Sequence, residues 1–477
     1  MVSPHDPPAP SEVTVSDVTH DSRQVRPGVL FACRPGLTSD GHDHAPAAID
    51  AGAVALLVQR PLDVSVPQVK VASVADALGP AAAAVQRHPS AEMVLLGITG
   101  TNGKTTTAYL LEAVLAAAGH TTGLVGTVET RIAGERIPGI RTTPEAPDLQ
   151  RLLRRMRNGG VTAGAMEVSS HGLALGRVRA TRFAAALFTN LTQDHLDFHA
   201  DMEDYFAAKA ALFDVAYTNV GVVNVDDTYG ARLASQVTGI DIVRVSVEGA
   251  DAEVHASGVV SDASGSQFTA HLRKGSVQVR VHLPGLFNVA NALLAIAAAE
   301  AVGIAPAQAA EGIAACSGVP GRMESVDAGQ PFSVFVDYAH TPDSLARVLR
   351  TVRALTPNRI LVVVGCGGDR DAGKRRLMGR VAAELADQAV FTSDNPRSED
   401  PQAILDAVVE GAAEVSGGRW TAELDRRTAI GQALAAAHTG DVVVIAGKGH
   451  ETTQELADRT IPFDDRVVAR ELLQAAA

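Results

Sequence analysis

GITGTNGKTTT, residues Gly97 to Thr107, is entered from the apolar run MVLLGIT beginning at Met93 and leads into TTAYLLEAVLAAAG, whose apolar residues recur at helical spacing. A strand, a glycine loop and a helix in that order form a phosphate-binding junction, because glycines let backbone N–H groups close around phosphate oxygens. Gly100, Thr101, Asn102, Gly103 and Thr106 form the cradle, Lys104 is placed to reach the β- and γ-phosphates, and the Thr105 hydroxyl is placed to join a Mg²⁺ shell. A nucleotide triphosphate is the expected guest. The segment is not a strict Walker sequence: Ile98 stands where the first glycine would be, and Gly100 falls inside the loop.

The same grammar recurs on both sides of the loop. TAGAMEV runs into SSHG and FAAALFT into NLTQDHLDFH, and stretches such as SVQVRVHL between residues 218 and 285 alternate as strands do. From about Arg322 the pattern appears three more times: RILVVVG opens into CGGDRDAGKR, QAVFTS into DNPRSED, and DVVVIAG into KGHETTQ. Helical stretches such as LMGRVAAELAD separate these strands, which predicts doubly wound parallel sheets with ligand faces at their carboxyl ends. The first 90 residues hold short strands and the Ala-rich helix VADALGPAAAAVQRH. The expected fold is therefore α/β in three domains. Residues 1–91 form a small α/β unit, 92–320 a central ATPase-type parallel sheet, and 321–477 a Rossmann-like unit.

Composition agrees with several domains, since 477 residues exceed the roughly 250–300 that one hydrophobic core can organise. With 46% hydrophobic and 20% charged residues the chain can bury real cores. A net charge of −13 argues against a nucleic-acid surface, so anions must be held by local donors. No apolar run reaches the roughly 18 residues that span a bilayer, and MVSPHDPPAPSEV has neither a basic nor an apolar segment. The expectation is a cytoplasmic monomer without membrane insertion. Cys33, Cys316 and Cys366 match no zinc spacing and read as small hydrophobes without disulfides.

Glu167 and His195 each follow a predicted strand on the edge that carries the phosphate loop. A hard carboxylate oxygen and a neutral imidazole suit Mg²⁺ beside a triphosphate. The His195/His199 spacing also admits zinc on a helix, although carboxylate-and-water coordination fits a triphosphate better. His171 and His199 read as structural. In DYFAAKAALF, Lys209 falls amid Tyr205, Phe206, Leu212 and Phe213, in the middle of a helix's apolar face. Burial there pushes a lysine toward its neutral form. From the helix alone the favoured reading is the other one, a stem lying on that face with its head in water.

The form TGTNGKTT resembles the Mur ligases and the related folylpolyglutamate synthetases, which activate a carboxylate as an acyl phosphate before an amine attacks. Further matches run in order along nearly the whole chain: HDSR, DGHDHAPAAIDAGA, RTTPEAPDLQ, MEVSSHGL, NLTQDHLDFH, GLFNVANALLA, GRMES, VDYAHTPDSL, GCGGDRDAGKRRLMG, DNPRSED and GKGHETTQ. The resemblance is to the diaminopimelate-adding branch of the family. It implies ligation of meso-diaminopimelate to the γ-carboxylate of UDP-N-acetylmuramoyl-L-alanyl-D-glutamate, in peptidoglycan synthesis. It also implies that Lys104, Lys209, Glu167 and His195 are catalytic, that Thr105, Glu167, His195 and Lys209 hold metal, and that Lys209 is a carbamate made with CO₂. A carbamate combines lysine's reach with a carboxylate's charge, and can bring a metal to acyl-phosphate oxygens.

By the same resemblance Ser22, Thr142, Thr143, Ser169 and Arg177 hold the UDP-muramoyl-dipeptide. Asn288, Asn291, Arg322 and His340 contact nucleotide, although the two asparagines could equally cap or brace a helix. Arg370, the DNPR loop (Asp394, Asn395, Pro396 and Arg397), Gly447 and Glu451 match the diaminopimelate pocket, where arginine forks meet carboxylates and acidic groups hold an ammonium. Lysine-adding relatives lack an arginine at the position of Arg397, whose other reading is a surface salt bridge. Leu175 replaces the glutamine some relatives carry before Arg177, and Arg376 stands where proline is common. Two alternatives stay open: a sister ligase that adds lysine or another amino acid, and a non-catalytic binding protein controlled by nucleotide.

Overall fold

The computed structural model describes residues 13–36, 39–139 and 141–476. The Pro-rich start, residues 1–12, lies outside them, and with it most of the segment in which no leader was read. The described residues form three sheets of four, eleven and six strands and one two-stranded ribbon, giving a three-domain α/β architecture.

The four-stranded sheet, Asp17–Thr19, Val29–Ala32, Ala53–Val58 and Gln68–Lys70, is parallel throughout. Its Val/Leu/Ala side chains pack under helix Val74–Val85. Helix Ala146–Asn158 of the central unit lies against that helix, and Arg151 reaches back to Asp17 at 2.9 Å.

The eleven-stranded sheet has seven parallel strands at its centre and antiparallel hairpins at both edges. Its inner strand Val94–Thr99, sequence VLLGIT, is apolar on both faces because helices cover both. On one face helices Lys104–Ala117, Leu286–Ala301 and Pro306–Ala315 pack through Leu110, Leu111, Val114, Leu293, Leu294 and Ile313. On the other, Leu149, Leu153, Met156, Tyr205, Phe206 and Phe213 complete a second core.

The six-stranded sheet orders Glu324–Ser325, Ser333–Asp337, Val442–Ala446, Ile360–Cys366, Gln388–Ser393 and Trp420–Ala422, all parallel except the first pair. Arg426 and Asp465 make a fully buried ion pair beneath it at 2.7 Å. Cys33, Cys316 and Cys366 are free, and burial pushes the Cys33 and Cys366 thiols up to about 12. Among the described residues no helix is long and apolar enough to cross a membrane.

Candidate active site

The phosphate loop leaves strand Val94–Thr99 and turns at Gly100 (φ 142°) and Gly103 (φ 87°), values that favour glycine. Backbone and side chains of the neighbouring strand end hold it. Asn102 N donates to Asn190 Oδ1 at 3.0 Å, and Thr189 Oγ1 and Asn190 Nδ2 donate to Asn102 O at 2.6 and 3.2 Å. At Gly103 a Cβ would fall 2.4 Å from Asn291 Oδ1, so Asn291 is seated against the loop. Asn288 Nδ2 instead donates to Pro284 O at 2.9 Å, and Asn288 Oδ1 accepts from Asn291 at 3.2 Å, the bracing arrangement.

Two lysines meet at one carbonyl. Lys104 Nζ donates to Gly100 O and Thr101 O, both at 2.9 Å, and Lys209 Nζ donates to the same Gly100 O at 2.8 Å. Lys209 is 1% exposed and lies 4.6 Å over the Tyr205 ring, so the reading with its head in water does not hold. Burial, reinforced by the charge of Lys104, holds its amine well below the usual lysine range. Burial also lowers Lys104. The α-helix Met202–Ala210 ends one residue past Lys209 and tightens into a 3₁₀ turn at Ala211–Phe213. Lys209 therefore sits in the last turn rather than mid-helix, and the turn still buries Leu212 and Phe213.

Glu167, the last residue of strand Ala163–Glu167, is 1% exposed. Its Oε2 accepts from Thr105 Oγ1 and Thr127 Oγ1, both at 3.1 Å, and its Oε1 accepts from Thr127 N at 2.9 Å. His195 is in the left-handed region (φ 55°), a conformation uncommon outside glycine. Desolvation pushes its imidazole down to about 4, so at neutral pH it is uncharged. Residues 189–201 contain no helix, which removes the helical zinc arrangement considered for His195 and His199. Among the described residues no three His, Cys, Asp or Glu side chains converge as a metal cage. The oxygens of Thr105 and Glu167 with the neutral His195 instead suit Mg²⁺ that draws its remaining ligands from phosphate and water.

One cavity of about 650 Å³ joins these groups. Thr101 to Thr106, Thr142, Glu167, Ser169, Asp194, His195 and Asn291 line it from the central unit, and Arg322, Tyr338 and His340 from the third. Arg322 bridges the two units: Nη2 donates to Thr105 Oγ1 at 3.2 Å while the guanidinium lies 4.4 Å from the Tyr338 ring centre. Asp343 adds a second bridge, accepting from Thr192 Oγ1 at 3.0 Å and Asn102 Nδ2 at 3.3 Å. Burial lowers His340, whose Nδ1 is 2.9 Å from Tyr338 O.

Thr142 and Ser169 face the cavity, whereas Thr143 is 1% exposed and clamps backbone, donating to Glu167 O and accepting from Ser169 N, both at 3.0 Å. Arg177 pairs with Glu145 at 2.7 Å, and the same carboxylate meets Arg141 at 2.5 Å and Arg34 of the first unit at 3.4 Å. Ser22 lies half-buried in the first unit, in a 3₁₀ turn whose preceding Asp21 is the cap, and does not line this cavity.

The DNPR and GKGHE segments leave adjacent regions of the third sheet. Gly447 (φ 109°) lets Asp394 approach, since a Cβ there would fall 2.7 Å from Asp394 Oδ2. Asn395 Nδ2 donates to Glu451 Oε2 at 2.8 Å. Buried Pro396 leads into Arg397, which is left-handed (φ 52°) and held by Glu455 at 2.7 Å and by Gly368 O at 2.7 Å. Arg370 is exposed nearby, its Cγ 4.0 Å and Arg397 Nη1 3.1 Å from where a Cβ on Gly367 would stand. Glu455, Lys448, Asp194, Thr127 and Asn190 were not singled out from sequence. Only the spacing of strand ends could have hinted at them.

Comparison with known proteins agrees with this layout. Residues 14–91 match the Mur ligase family catalytic domain, 98–299 the Mur ligase middle domain and 321–449 the glutamate ligase domain. The chain is 49% identical over 473 residues to the UDP-N-acetylmuramoyl-L-alanyl-D-glutamate–2,6-diaminopimelate ligase of Streptomyces avermitilis, covering 97% of this chain and 93% of the relative. It is 46% identical to the protein of the same name from Bacillus licheniformis, covering 96% and 94%. A solved structure of a ligase of that name superposes with a TM-score of 0.71 at 33% identity, covering 97% and 95%. A Mycobacterium tuberculosis folylpolyglutamate synthase complexed with ADP and AMPPCP shares the fold, at 19% identity and a TM-score of 0.63 over 77% and 91%.

Proposed function

The chain belongs to the Mur ligase family, and from that premise we propose that it uses ATP to join meso-diaminopimelate to the γ-carboxylate of UDP-N-acetylmuramoyl-L-alanyl-D-glutamate. The observation that carries this reading is the shared cavity, in which the phosphate loop, Glu167 and His195 face Arg322 and His340 of the third unit. Residues 1–91 with Ser22 hold the UDP-muramoyl end, 92–320 bind ATP, and 321–477 bind the incoming amino acid. The enzyme works as a cytoplasmic monomer.

Lys104 exchanges the carbonyls of Gly100 and Thr101 for the β- and γ-phosphates, and the loop N–H groups hold the same oxygens. Mg²⁺, when bound, neutralises charge on the transferring phosphoryl group. Thr105, Glu167 and His195 would hold it, and the depressed amine of Lys209 would add to CO₂ with loss of a proton, giving a carbamate that would extend the same set. Thr142, Ser169 and Arg177 orient the glutamyl carboxylate, whose oxygen attacks the γ-phosphorus. Its γ-carbonyl then carries phosphate as a leaving group. Arg370 and Arg397 take the carboxylate of the unreactive end of diaminopimelate, and Asp394 and Glu451 its ammonium. The free amine at the other end displaces phosphate, so ADP and phosphate are the products.

The test is isotopic. With ¹⁸O in the γ-carboxylate, one labelled oxygen is expected in the released phosphate, as acyl phosphate formation requires. Unlabelled phosphate alongside amide product overturns the proposal.

A further inference from the structure

Lys448 has no exposed surface. Its ammonium donates to Asn395 Oδ1 at 2.9 Å and to Glu451 Oε2 at 3.1 Å, with Asp394 Oδ1 at 3.9 Å. The lysine is thus enclosed by the acidic and amide groups of the two loops assigned above to the amino acid. It does not face the nucleotide cavity. An ammonium so enclosed compensates the buried carboxylate of Asp394 and the partly exposed one of Glu451, and its removal withdraws that compensation from both.

Counted over Arg370, Asp394, Arg397 and Glu451 and their direct ion-pair partners Glu455 and Lys448, the charges balance, while Asp369 beside the two arginines is exposed and bonded to Ser398. Arg370, Arg397 and Lys448 supply three positive charges, and Asp394, Glu451 and Glu455 supply three negative ones, with Glu455 already pairing Arg397 at 2.7 Å. A neutral pocket with separated forks and acids complements the end of an amino acid that carries both an ammonium and a carboxylate. Without Lys448 the same groups sum to −1, which suits an end bearing an ammonium alone. Without Glu451 they sum to +1, which suits an end bearing a carboxylate alone.

We propose that Lys448 is a positioning residue that sets the charge balance of the amino-acid pocket, and so selects a zwitterionic distal end over a purely cationic one. This inference rests on the diaminopimelate reading given above. Lys448 acts through Asp394, Asn395 and Glu451, whose carboxylates and amide it restrains, rather than by touching the amino acid.

The experiment uses the full chain with ATP, Mg²⁺ and the UDP-muramoyl-dipeptide. kcat and KM are measured for meso-diaminopimelate, for lysine, whose distal end is an ammonium, and for 2-aminopimelate, whose distal end is a carboxylate. In Lys448→Met the kcat/KM ratio of lysine to diaminopimelate should rise by about tenfold or more, with KM for ATP within about twofold. In Glu451→Gln the ratio of 2-aminopimelate to diaminopimelate should rise instead. Shifts in opposite directions are not produced by general loosening of the domain. If Lys448→Met does not fold, Lys448→Gln, which keeps a donor toward Asn395 and Glu451 without the charge, is measured instead and should move the lysine ratio in the same direction. Unchanged ratios, or equal losses on all three amino acids with a rise in KM for ATP, overturn the role of Lys448. A wild-type enzyme that does not prefer diaminopimelate overturns the functional reading itself, so the two failures are distinct.

Discussion

Replacing Arg426 by methionine should destabilise the third domain by about 3–5 kcal/mol, because it strands a buried carboxylate. Arg426 and Asp465 both have fully buried side chains, paired through Nε to Oδ1 at 2.8 Å and Nη2 to Oδ2 at 2.7 Å. Asp465→Leu alone strands the guanidinium in the same way. The double variant removes both charges, which is neutral or stabilising. It also forfeits the bonds from Arg426 to Ala446 O at 2.9 Å and Ser393 O at 3.4 Å, at about 1 kcal/mol each. It should therefore stay within about 2 kcal/mol of wild type, with a coupling energy of at least about 4 kcal/mol. Urea unfolding followed by fluorescence reads this directly, since Trp420 is the chain's one tryptophan and its strand pairs with Gln388–Ser393. The two carbonyls belong to the residues just before Asp394 and Gly447, so KM for the amino acid should rise in the double variant while KM for ATP stays. A double variant that falls as far as Arg426→Met would refute the charge-pairing argument.

Gly103→Ala places a Cβ 2.4 Å from Asn291 Oδ1 at φ 87°, and ATP affinity by calorimetry should drop at least about tenfold while circular dichroism is unchanged; retained affinity contradicts the loop assignment. Lys209→Met should abolish ligation yet stabilise the apo protein at neutral pH. Burial and then Lys104 hold the folded amine below its ordinary value, so the unfolded chain binds the extra proton. The resulting penalty is full below the folded value and shrinks as pH rises toward about 10.4. The urea midpoints of wild type and Lys209→Met in CO₂-free buffer should converge with rising pH, and a constant gap would contradict it. Arg397→Ala should raise KM for diaminopimelate far more than KM for ATP, and equal losses on both would count against the pocket.

The parts of this site that were legible in sequence are those a single segment determines. Glycines at Gly100 and Gly103 signal a loop that wraps phosphate, and runs such as VLLGIT and VVVIA, buried on both faces, announce parallel strands. Lys209 among aromatic residues signalled an amine whose charge would be suppressed. What stayed hidden depends on segments far apart in the chain. Lys448 meets Asn395 across 53 residues, Arg322 meets Thr105 across 217, and Asp343 meets Asn102 across 241. Nor does a sequence tell a hydroxyl that faces a ligand from one that clamps backbone, which is how Thr142 and Thr143, adjacent and identical, differ in the fold. The left-handed backbones of His195 and Arg397 were equally invisible, since neither residue favours that conformation by itself.

The most direct measurement incubates the purified protein with ATP, Mg²⁺, UDP-N-acetylmuramoyl-L-alanyl-D-glutamate and either meso-diaminopimelate or lysine, and weighs the products by mass spectrometry. The account predicts an amide product with diaminopimelate that vanishes when any component is withheld, and far less with lysine. Nucleotide hydrolysis without any amide, or lysine used as readily as diaminopimelate, would contradict it.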